Sequence, residues 1–355
     1  MTPIRPLTSL RLVFALMVFA SHCNIVSACF DIPLLTEGYV GVGFFFVLSG
    51  FIISYSYDER FQQGRVTAYD FLTARAARIY PLHWLMLLIT AALGTYTLAN
   101  GFIDWMQHFA ANLLLCQSYI PDASYYFSFN SPSWSLCCEQ LFYLCFPLMT
   151  PLLRHPRRLH LLFALCAIAV VVGMQFTPPD MAKGIWYVNP LARFPDFILG
   201  MMVYLHYREG QASGTHSYRH DTLFELCTIL LFVTFYTTSP HIPQIYRYSC
   251  YYWLPIAGVI YVFARQGGMI SQWLSNRWLI LGGEVSFGFY LIHHLLFRLY
   301  VEANRHLHLN ISPSIAVLLM LLLALLLSVL SFYLFERPMN KLIKRIALFF
   351  RKNMR

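Results

Sequence analysis

Long apolar stretches, separated by short polar segments, run through the chain from end to end. A helix that crosses the hydrocarbon core of a bilayer needs about 20 mostly apolar residues. Eleven stretches approach this length, at residues 10–29, 39–57, 79–98, 101–117, 134–153, 159–176, 191–207, 222–238, 249–264, 284–303 and 313–335. This pattern predicts an all-α, polytopic membrane protein.

The positions of the basic residues predict the orientation of these stretches, because Lys and Arg collect in cytoplasmic loops. The clusters at 60–78 and 154–158 and the basic C-terminal tail share one side only if one stretch does not cross. Stretch 101–117 is the most polar of them, and we expect it to lie at the outer interface or to re-enter. We therefore predict about ten transmembrane helices with both termini cytoplasmic.

Composition supports a single membrane domain. Hydrophobic residues make up 58% of the chain and charged residues 12%, whereas soluble domains carry roughly 25% charged residues. We assign residues 1–340 to one transmembrane domain and residues 341–355 to a basic cytoplasmic tail, which we expect to anchor on anionic lipid headgroups. The net charge of +9 then reflects topology, and no nucleic-acid partner is expected.

Nine cysteines are scattered along the chain without a CxxC pair. Most of them lie inside apolar stretches, so we expect buried structural thiols rather than redox or zinc chemistry. The histidines and cysteines show no ligand spacing that would indicate a metal, and none is predicted.

Two ionisable residues lie on the first predicted span. Arg11 and His22 are eleven residues apart, which corresponds to about three helical turns and roughly 16 Å, so the two side chains share one face. Arg11 would lie near the cytoplasmic entrance and His22 beyond the middle of the bilayer. A buried neutral imidazole suits a general base; the alternative is a packing histidine bonded to a backbone carbonyl.

Arg75 and Arg78 are three residues apart in the first cytoplasmic segment and therefore share one side of a helix. Arginine binds phosphate oxygens through paired hydrogen bonds, so the two could hold a nucleotide phosphate. The alternative is a positive cluster that only sets the topology.

Later spans carry further polar residues. Glu139 follows Trp134 and Ser135 at a span start; it either stabilises the helix N-terminus or orients a sugar hydroxyl. We expect Arg193 and Asp196, three apart, to pair with each other. Glu284, His293, His294 and Arg298 all lie on the stretch 284–303, and so many ionisable residues in one span suggest a polar cavity.

Taken together, these motifs resemble the membrane acyltransferase 3 family over Leu7 to about Pro338. Family motifs are matched by Arg11 and His22 (Arg-x10-His), the Gly- and Phe-rich stretch 41–51, Arg75 and Arg78 (Arg-x-x-Arg), Trp134-Ser135-Leu136 with Glu139, Ser286 to His293, and Glu336 with Pro338. The family acylates surface polysaccharides and other extracytoplasmic acceptors.

The resemblance implies a bacterial inner-membrane enzyme that moves an acyl group, most often acetyl from cytoplasmic acetyl-CoA, to a hydroxyl at the outer side. The acceptor would be an O-antigen, exopolysaccharide or capsule sugar or its lipid-linked precursor, with membrane lipids and polysaccharide assembly proteins as further partners. The residues assigned to this chemistry are His22, Arg11 and Glu139 for catalysis, Arg75 and Arg78 for the CoA donor, and Trp134, Ser135 and His293 for the acceptor.

The chain departs from the family pattern at one position. Gly43 stands where the family usually has Asp, so an acid expected near the first-span histidine is missing. Either Glu139 or Glu37 substitutes for it, or its role is dispensable. Longer members add an extracytoplasmic esterase-like domain after the last span, and we expect this chain to complete the transfer with its membrane part alone.

Two mechanisms and two other function classes remain open at this point. His22 either deprotonates the acceptor directly or forms an acyl-histidine intermediate. A non-catalytic carrier or flippase for a lipid-linked sugar would use the same polar cavity without CoA. A purely structural partner in a polysaccharide assembly would tolerate the loss of His22, Arg75 and Arg78.

Overall fold

The computed structural model describes residues 3–96, 101–212 and 217–353, and this part of the chain is helical with no strand. The long helices are α1 (Arg5–Ser21), α2 (Val40–Gln62), α3 (Ala68–Ala92), α4 (Phe102–Leu113), α5 (Trp134–Met149), α6 (Pro156–Phe176), α7 (Pro190–Ala212), α8 (Tyr218–Thr238), α9 (Trp253–Ala264), α10 (Arg277–Leu307), α11 (Pro313–Ser331) and α12 (Arg337–Asn353). The all-α class is thus confirmed. Residues 97–98 of the predicted third span and 354–355 of the tail lie outside the described residues.

Short helical segments form much of the connections between the long helices. They are Cys23–Ile25, Ala28–Phe30, Pro33–Thr36, Glu37–Tyr39, Gln117–Tyr119, Ala123–Tyr126, Ser131–Ser133, Thr150–Arg154, Pro179–Ala182, Lys183–Tyr187, Ser239–His241, Gln244–Arg247, Cys250–Tyr252, Met269–Leu274 and Phe332–Glu336.

Seven helices in the described part of the chain are long and apolar enough to cross a membrane. They contain α1, α2, α5, α6, α8, α10 and α11. The other three predicted spans correspond to α3 and α7, which are 25 and 23 residues long but more polar, and to the 12-residue α9. Helix α4 has 12 residues and extends about 18 Å, short of the roughly 30 Å hydrocarbon core.

The start of α3 differs from the prediction. The apolar pattern began the third span at residue 79, but the helix begins at Ala68 and carries both Arg75 and Arg78. A capping box explains this start: the Thr67 hydroxyl accepts a bond from the Asp70 amide at 3.2 Å, and the Asp70 carboxylate accepts one from the Thr67 amide at 3.0 Å. Asp70, Arg75 and Arg78 lower the mean hydropathy of the first turns of α3, so hydropathy alone detects the helix too late.

Small residues bring the central helices close together. Helix α2 packs along α7, and α1 packs along α10. Gly50 on α2 and Gly200 on α7 face each other, and a Cβ on Gly200 would collide with the carbonyl oxygen of Val47. This contact therefore requires glycine, as is common where helices of membrane proteins approach each other closely.

Basic segments from distant parts of the sequence lie at one end of the bundle, here called the basic end. Arg208 of α7 pairs with Asp58 of α2 at 2.8 Å and donates to the Leu153 carbonyl, just before the cluster 154–158. Asn340 of α12 donates to the Ala77 carbonyl of α3 at 3.1 Å. The basic clusters thus share one end, and the cytoplasmic orientation of that end stays a prediction.

The cysteines do not all follow the expectation of buried thiols. Cys137 and Cys138 are fully buried in α5, but Cys29, Cys116 and Cys227 are exposed. The prediction was wrong for these three: Cys29 and Cys116 lie in connections between long helices, and Cys227 lies on the exposed side of α8, which apolar sequence alone does not distinguish from the packed side.

Candidate active site

His22 lies directly after the C-terminal end of α1. Its Nδ1 donates a hydrogen bond to the carbonyl oxygen of Val18 at 2.9 Å. A neutral imidazole carries one proton, so this bond places the proton on Nδ1 and leaves the lone pair on Nε2. His22 also lines a cavity of about 790 Å³, here called the outer cavity. The sequence left open whether His22 is a general base or a packing histidine bonded to a backbone carbonyl. The structure shows the carbonyl bond together with a place in a cavity wall.

A second histidine supports the ring of His22 from α10. Nδ1 of His293 donates to the Phe289 carbonyl at 3.2 Å, so its Nε2 carries a lone pair. That Nε2 lies 3.2 Å from Nδ1 of His22 and accepts from the same N–H. His293 is 1% exposed, and it is the neighbouring His294, with its ring centroid 5.3 Å from that of His22, that lines the outer cavity.

Aromatic rings form much of the wall of the outer cavity. They belong to Tyr39, Phe127, Trp134, Tyr187, Tyr248 and Tyr290. Neutral polar groups stand between them, including Asn24, Ser131 and Gln244. Broad apolar ring faces together with a few hydrogen-bonding groups suit a ligand that is amphipathic and rich in hydroxyls.

Charges in the outer cavity are partly neutralised. Glu37 pairs with Arg247 and accepts a hydrogen bond from the Tyr252 hydroxyl at 2.8 Å. The Lys183 ammonium lies 5.0 Å from the centre of the Phe127 ring, and burial lowers the pKa of Lys183. Burial raises the pKa of Tyr248 to about 12, so this phenol stays neutral at physiological pH.

Arg11 and Glu139 lie deeper, on the side of His22 that faces the basic end. Both line a small cavity of about 80 Å³, the middle cavity, and an adjoining one of about 230 Å³, the inner cavity. The Ser49 hydroxyl donates to the Glu139 carboxylate at 3.2 Å. Ser135 lines the middle cavity, and its hydroxyl donates to the Pro132 carbonyl at 3.1 Å.

The arginine pair of α3 lies at the mouth of this system. Arg75 and Arg78 line the inner cavity and also a cavity of about 380 Å³ between α3 and α12, here called the basic groove. The Arg75 guanidinium donates to the Tyr57 hydroxyl at 3.2 Å and lies over the Tyr57 and Phe71 rings. Arg75 is therefore held in place, while Arg78 is exposed.

Shared wall residues show that the four cavities adjoin each other. Val42 and Tyr290 line both the outer and the middle cavity. Arg11 and Glu139 line both the middle and the inner cavity, and Arg78 lines the middle cavity, the inner cavity and the basic groove. The cavities thus form a series that leads from the basic end of the bundle to His22.

The structure places the residues predicted from the sequence in distinct zones. His22 and Trp134 line the outer cavity, whereas Arg11, Glu139 and Ser135 line the middle one. Arg75 and Arg78 lie at the basic end and His293 behind His22. Arg11 and His22 thus belong to adjacent cavities rather than to a single one. The predicted pairing of Arg193 with Asp196 is confirmed at 2.7 Å.

The position of Gly43 answers part of the question raised by the missing acid. A Cβ at Gly43 would lie 3.3 Å from Nη2 of Arg193, so the side chain that the family has there would face this guanidinium. Asp196 is the acid that pairs with Arg193, whereas Glu37 pairs with Arg247. Neither acid proposed from the sequence occupies this place.

Sequence reasoning did not identify Tyr290, which lines both the outer and the middle cavity. Its hydroxyl donates to the Pro132 carbonyl at 3.1 Å, which ties α10 to the segment before α5. The signal was available, because Tyr290 lies within the Ser286–His293 segment. Lys183 of the outer cavity carried no motif, so only the folded chain reveals it.

The arrangement can deprotonate a hydroxyl. Nε2 of His22 has a lone pair, the ring is held by two acceptors on Nδ1, and the cavity beside it has room for a substrate. Within the described residues these two acceptors, the Val18 carbonyl and His293, take the place that a carboxylate often has beside a catalytic histidine. The described residues hold no cluster of three or more potential metal ligands.

Comparison with known proteins identifies the family. Residues 7–333 match the acyltransferase domain family, acyltransferase 3. The chain is 33% identical to acyltransferase MdmB of Streptomyces mycarofaciens over 320 residues, which cover 82% of this chain and 78% of that protein. It is 30% identical over 170 residues to the exopolysaccharide production protein ExoZ of Rhizobium meliloti, covering 47% of this chain and 50% of ExoZ.

A further relative is the putative peptidoglycan O-acetyltransferase YrhL of Bacillus subtilis, 25% identical over 81% of this chain and 48% of YrhL. The chain therefore aligns with about half the length of ExoZ and of YrhL. No solved structure matches it. Because the family model matches nearly the whole chain and MdmB is 33% identical to it, the chain belongs to the acyltransferase 3 family and is a membrane O-acyltransferase.

Proposed function

We propose that this protein transfers an acetyl group from cytoplasmic acetyl-CoA to a hydroxyl of a surface polysaccharide or of its lipid-linked precursor, in the bacterial inner membrane. The observation that carries the proposal is the series of cavities from the basic end to His22. It gives an anionic donor a charged entrance at one end and an acceptor an aromatic cavity at the other.

The donor end is the basic groove and the inner cavity. Arg75 and Arg78 hold phosphate oxygens of CoA through charge-assisted hydrogen bonds, and the thioester arm extends past them toward His22. Arg11 and Glu139, which line the middle and inner cavities, contact this arm rather than the acceptor. Their positive and negative charges orient polar groups of the arm beside the thioester.

The acceptor end is the outer cavity. Trp134, Tyr187 and Tyr248 offer ring faces to a sugar, and His294 faces the same space. The names of ExoZ and YrhL connect similar chains with exopolysaccharide and peptidoglycan. O-antigen, exopolysaccharide and capsule sugars all fit this chemistry, and proteins that assemble the polysaccharide would deliver them.

Transfer is centred on Nε2 of His22. In the direct route the acceptor O–H passes its proton to Nε2 while its oxygen bonds to the thioester carbon. The C–S bond then breaks, and the CoA thiolate leaves with the proton from His22. In the two-step route Nε2 bonds to the thioester carbon, the C–S bond breaks, and CoA leaves as the thiolate, so that the acylated ring carries a positive charge. The acceptor oxygen then bonds to the acyl carbon, the C–N bond to Nε2 breaks, and the acceptor proton is released and converts the thiolate to the thiol. Both routes need the lone pair on Nε2.

The test is an acyl-transfer assay in inverted membrane vesicles with acetyl-CoA labelled in its acetyl group. We expect label in polysaccharide with the wild type, a loss of about 10²- to 10⁴-fold in His22→Ala, and a weaker loss with raised KM for acetyl-CoA in Arg75→Ala. Label on the wild-type protein that disappears on addition of acceptor would select the two-step route.

Matched controls are His306→Ala and Arg157→Ala, which remove the same side chains from exposed positions outside the cavities. Both should transfer at the wild-type rate. Undiminished transfer in His22→Ala would refute the assignment of His22. Absence of any CoA-dependent label with the wild type would refute the donor and favour a carrier for a lipid-linked sugar.

A further inference from the structure

The C-terminal helix α12 is docked against the helix that carries the arginine pair. Asn340 donates to the Ala77 carbonyl at 3.1 Å, directly between Arg75 and Arg78 in sequence. The basic groove lies between the two helices. The first half of α12 therefore forms one wall of the donor entrance instead of lying apart from it.

The groove has a strong excess of positive charge. Its basic side chains are Arg75, Arg78, Arg337, Lys341 and Lys344, and its acidic side chain is Glu336. Glu336 accepts a hydrogen bond from Ser331 at 3.2 Å. Such a concentration of cations in one concave site favours a ligand that carries several negative charges.

The basic residues of α12 differ in whether they already have an ion-pair partner within the described residues. Arg337 pairs with Glu284 at 3.3 Å and its guanidinium lies 4.3 Å from the centre of the Phe332 ring. Lys341 and Lys344 form no ion pair within the described residues, and both line the groove. Three residues apart on a helix, the two ammonium groups can approach one ligand group together.

The order of the cations along the path matches the order of the phosphates in CoA. Arg78 lines the middle cavity, the inner cavity and the groove, whereas Lys341 lines the groove and Lys344 lines it and a further surface cavity. In CoA the pyrophosphate joins the thioester arm to the adenosine, and the 3′-phosphate lies on the ribose, farther from the thioester. The phosphate farthest from His22 would thus meet the cations farthest from His22.

We infer that Lys341 and Lys344 bind the ribose 3′-phosphate of CoA while Arg75 and Arg78 bind the pyrophosphate. This inference rests on the proposed function, since it assigns a subsite to the same donor. It gives the C-terminal helix a part in donor recognition, in addition to the lipid anchoring expected from its basic, amphipathic sequence. Anionic headgroups offer the same phosphate chemistry, so the test separates the two sources.

The experiment compares acetyl-CoA with acetyl-3′-dephospho-CoA as donors for the wild type and for the double variant Lys341→Ala/Lys344→Ala. Protein is reconstituted in nanodiscs of neutral phosphatidylcholine and, in parallel, of phosphatidylcholine with anionic phosphatidylglycerol. For the wild type we expect a KM about tenfold or more lower for acetyl-CoA than for the dephospho donor, since hydrogen bonds to charged groups contribute at that scale. The double variant should have the same KM for both donors in both lipids, with kcat unchanged.

Arg345→Ala is the matched control, because it removes one charge from the same helix at an exposed position that does not line the groove. It should keep the wild-type preference between the two donors. A double variant that keeps this preference would overturn the inference. If the double substitution raises KM equally for both donors, and only in nanodiscs that contain phosphatidylglycerol, the two lysines bind lipid headgroups instead.

Direct binding of CoA and 3′-dephospho-CoA, measured by calorimetry, separates failure of the inference from failure of the proposed function. A wild type that binds CoA about tenfold tighter than the dephospho form, without transferring acetyl, would retain the inference and overturn the proposed reaction. A wild type that transfers acetyl but binds both forms equally would overturn the inference alone. Binding of neither form would overturn both.

Discussion

Nε2 of His293 lies 3.2 Å from Nδ1 of His22 and accepts from the N–H that also reaches the Val18 carbonyl. Two acceptors on one side of the ring fix its tautomer and direct the lone pair of Nε2 away from them. These two neutral acceptors thus occupy the place that a carboxylate has beside the histidine of many hydrolases, without the cost of burying an unpaired charge.

Replacing His293 by Leu should therefore lower kcat without changing the KM for acetyl-CoA. The ring of His22 keeps its bond to Val18 but loses its second acceptor, and misplacement of a reacting group costs about 10- to 100-fold. His293→Gln, whose amide oxygen is an acceptor, should recover part of the loss. Steady-state kinetics with varied acetyl-CoA checks both statements. Equal losses in the Leu and Gln variants would contradict the positioning role.

Tyr290 should control the passage between the middle and outer cavities, because it lines both. Tyr290→Ala removes the ring and should admit water to the thioester, so that CoA is released without acylated product. Tyr290→Phe loses the hydroxyl and its bond to the Pro132 carbonyl, worth about 1 kcal/mol, but keeps the ring, so CoA release should stay coupled to acylation of the acceptor. Parallel measurement of free CoA thiol and of acylated acceptor gives the ratio of CoA released to acetyl groups transferred. Tight coupling in the Ala variant would count against this role.

Introducing the family's acid at position 43 should stabilise the protein. A Cβ there approaches Nη2 of Arg193, which is buried and has no hydrogen-bond partner within the described residues. Gly43→Asp supplies a partner and replaces a glycine inside a helix, so we expect stabilisation of about 1 kcal/mol or more. Thermal unfolding in detergent reports the change.

Gly43→Leu is the control for position 43, because it adds a side chain without a charge beside the same guanidinium. It should unfold at a lower temperature than the wild type. An Asp variant that unfolds as early as the Leu variant would show that the site has no room for the acid.

The ion pair between Glu37 and Arg247 should support the outer cavity. Glu37 is 1% exposed, and it also accepts from the Tyr252 hydroxyl at 2.8 Å. Arg247→Met leaves the carboxylate buried without its cation, which costs about 3–5 kcal/mol. The double variant Glu37→Gln/Arg247→Met removes both charges and should recover most of the unfolding temperature. Additive losses in the double variant would show that the pair is not coupled.

Much of the fold followed from the sequence, because a bilayer imposes simple rules. Backbone N–H and C=O groups in hydrocarbon must form hydrogen bonds within their own helix, so an apolar stretch of sufficient length predicts a helix. This reasoning located the apolar helices. Helical spacing then predicted the pairing of Arg193 with Asp196, which are three residues apart on α7. It placed the start of α3 too late, since the polar turns that carry Arg75 and Arg78 are helical for a different reason, the capping box at Thr67.

The sequence by itself determined the family, the helical class and the identity of the polar residues that a membrane does not tolerate without a reason. Only the tertiary structure decided which of them meet. His22 and His293 are 271 positions apart, and Asn340 reaches α3 across most of the chain. Helical periodicity gives the direction of a side chain relative to its own axis but not the packing of one helix on another. Contacts between helices depend on close approaches such as Gly50 at Gly200, and these exist only in the folded chain.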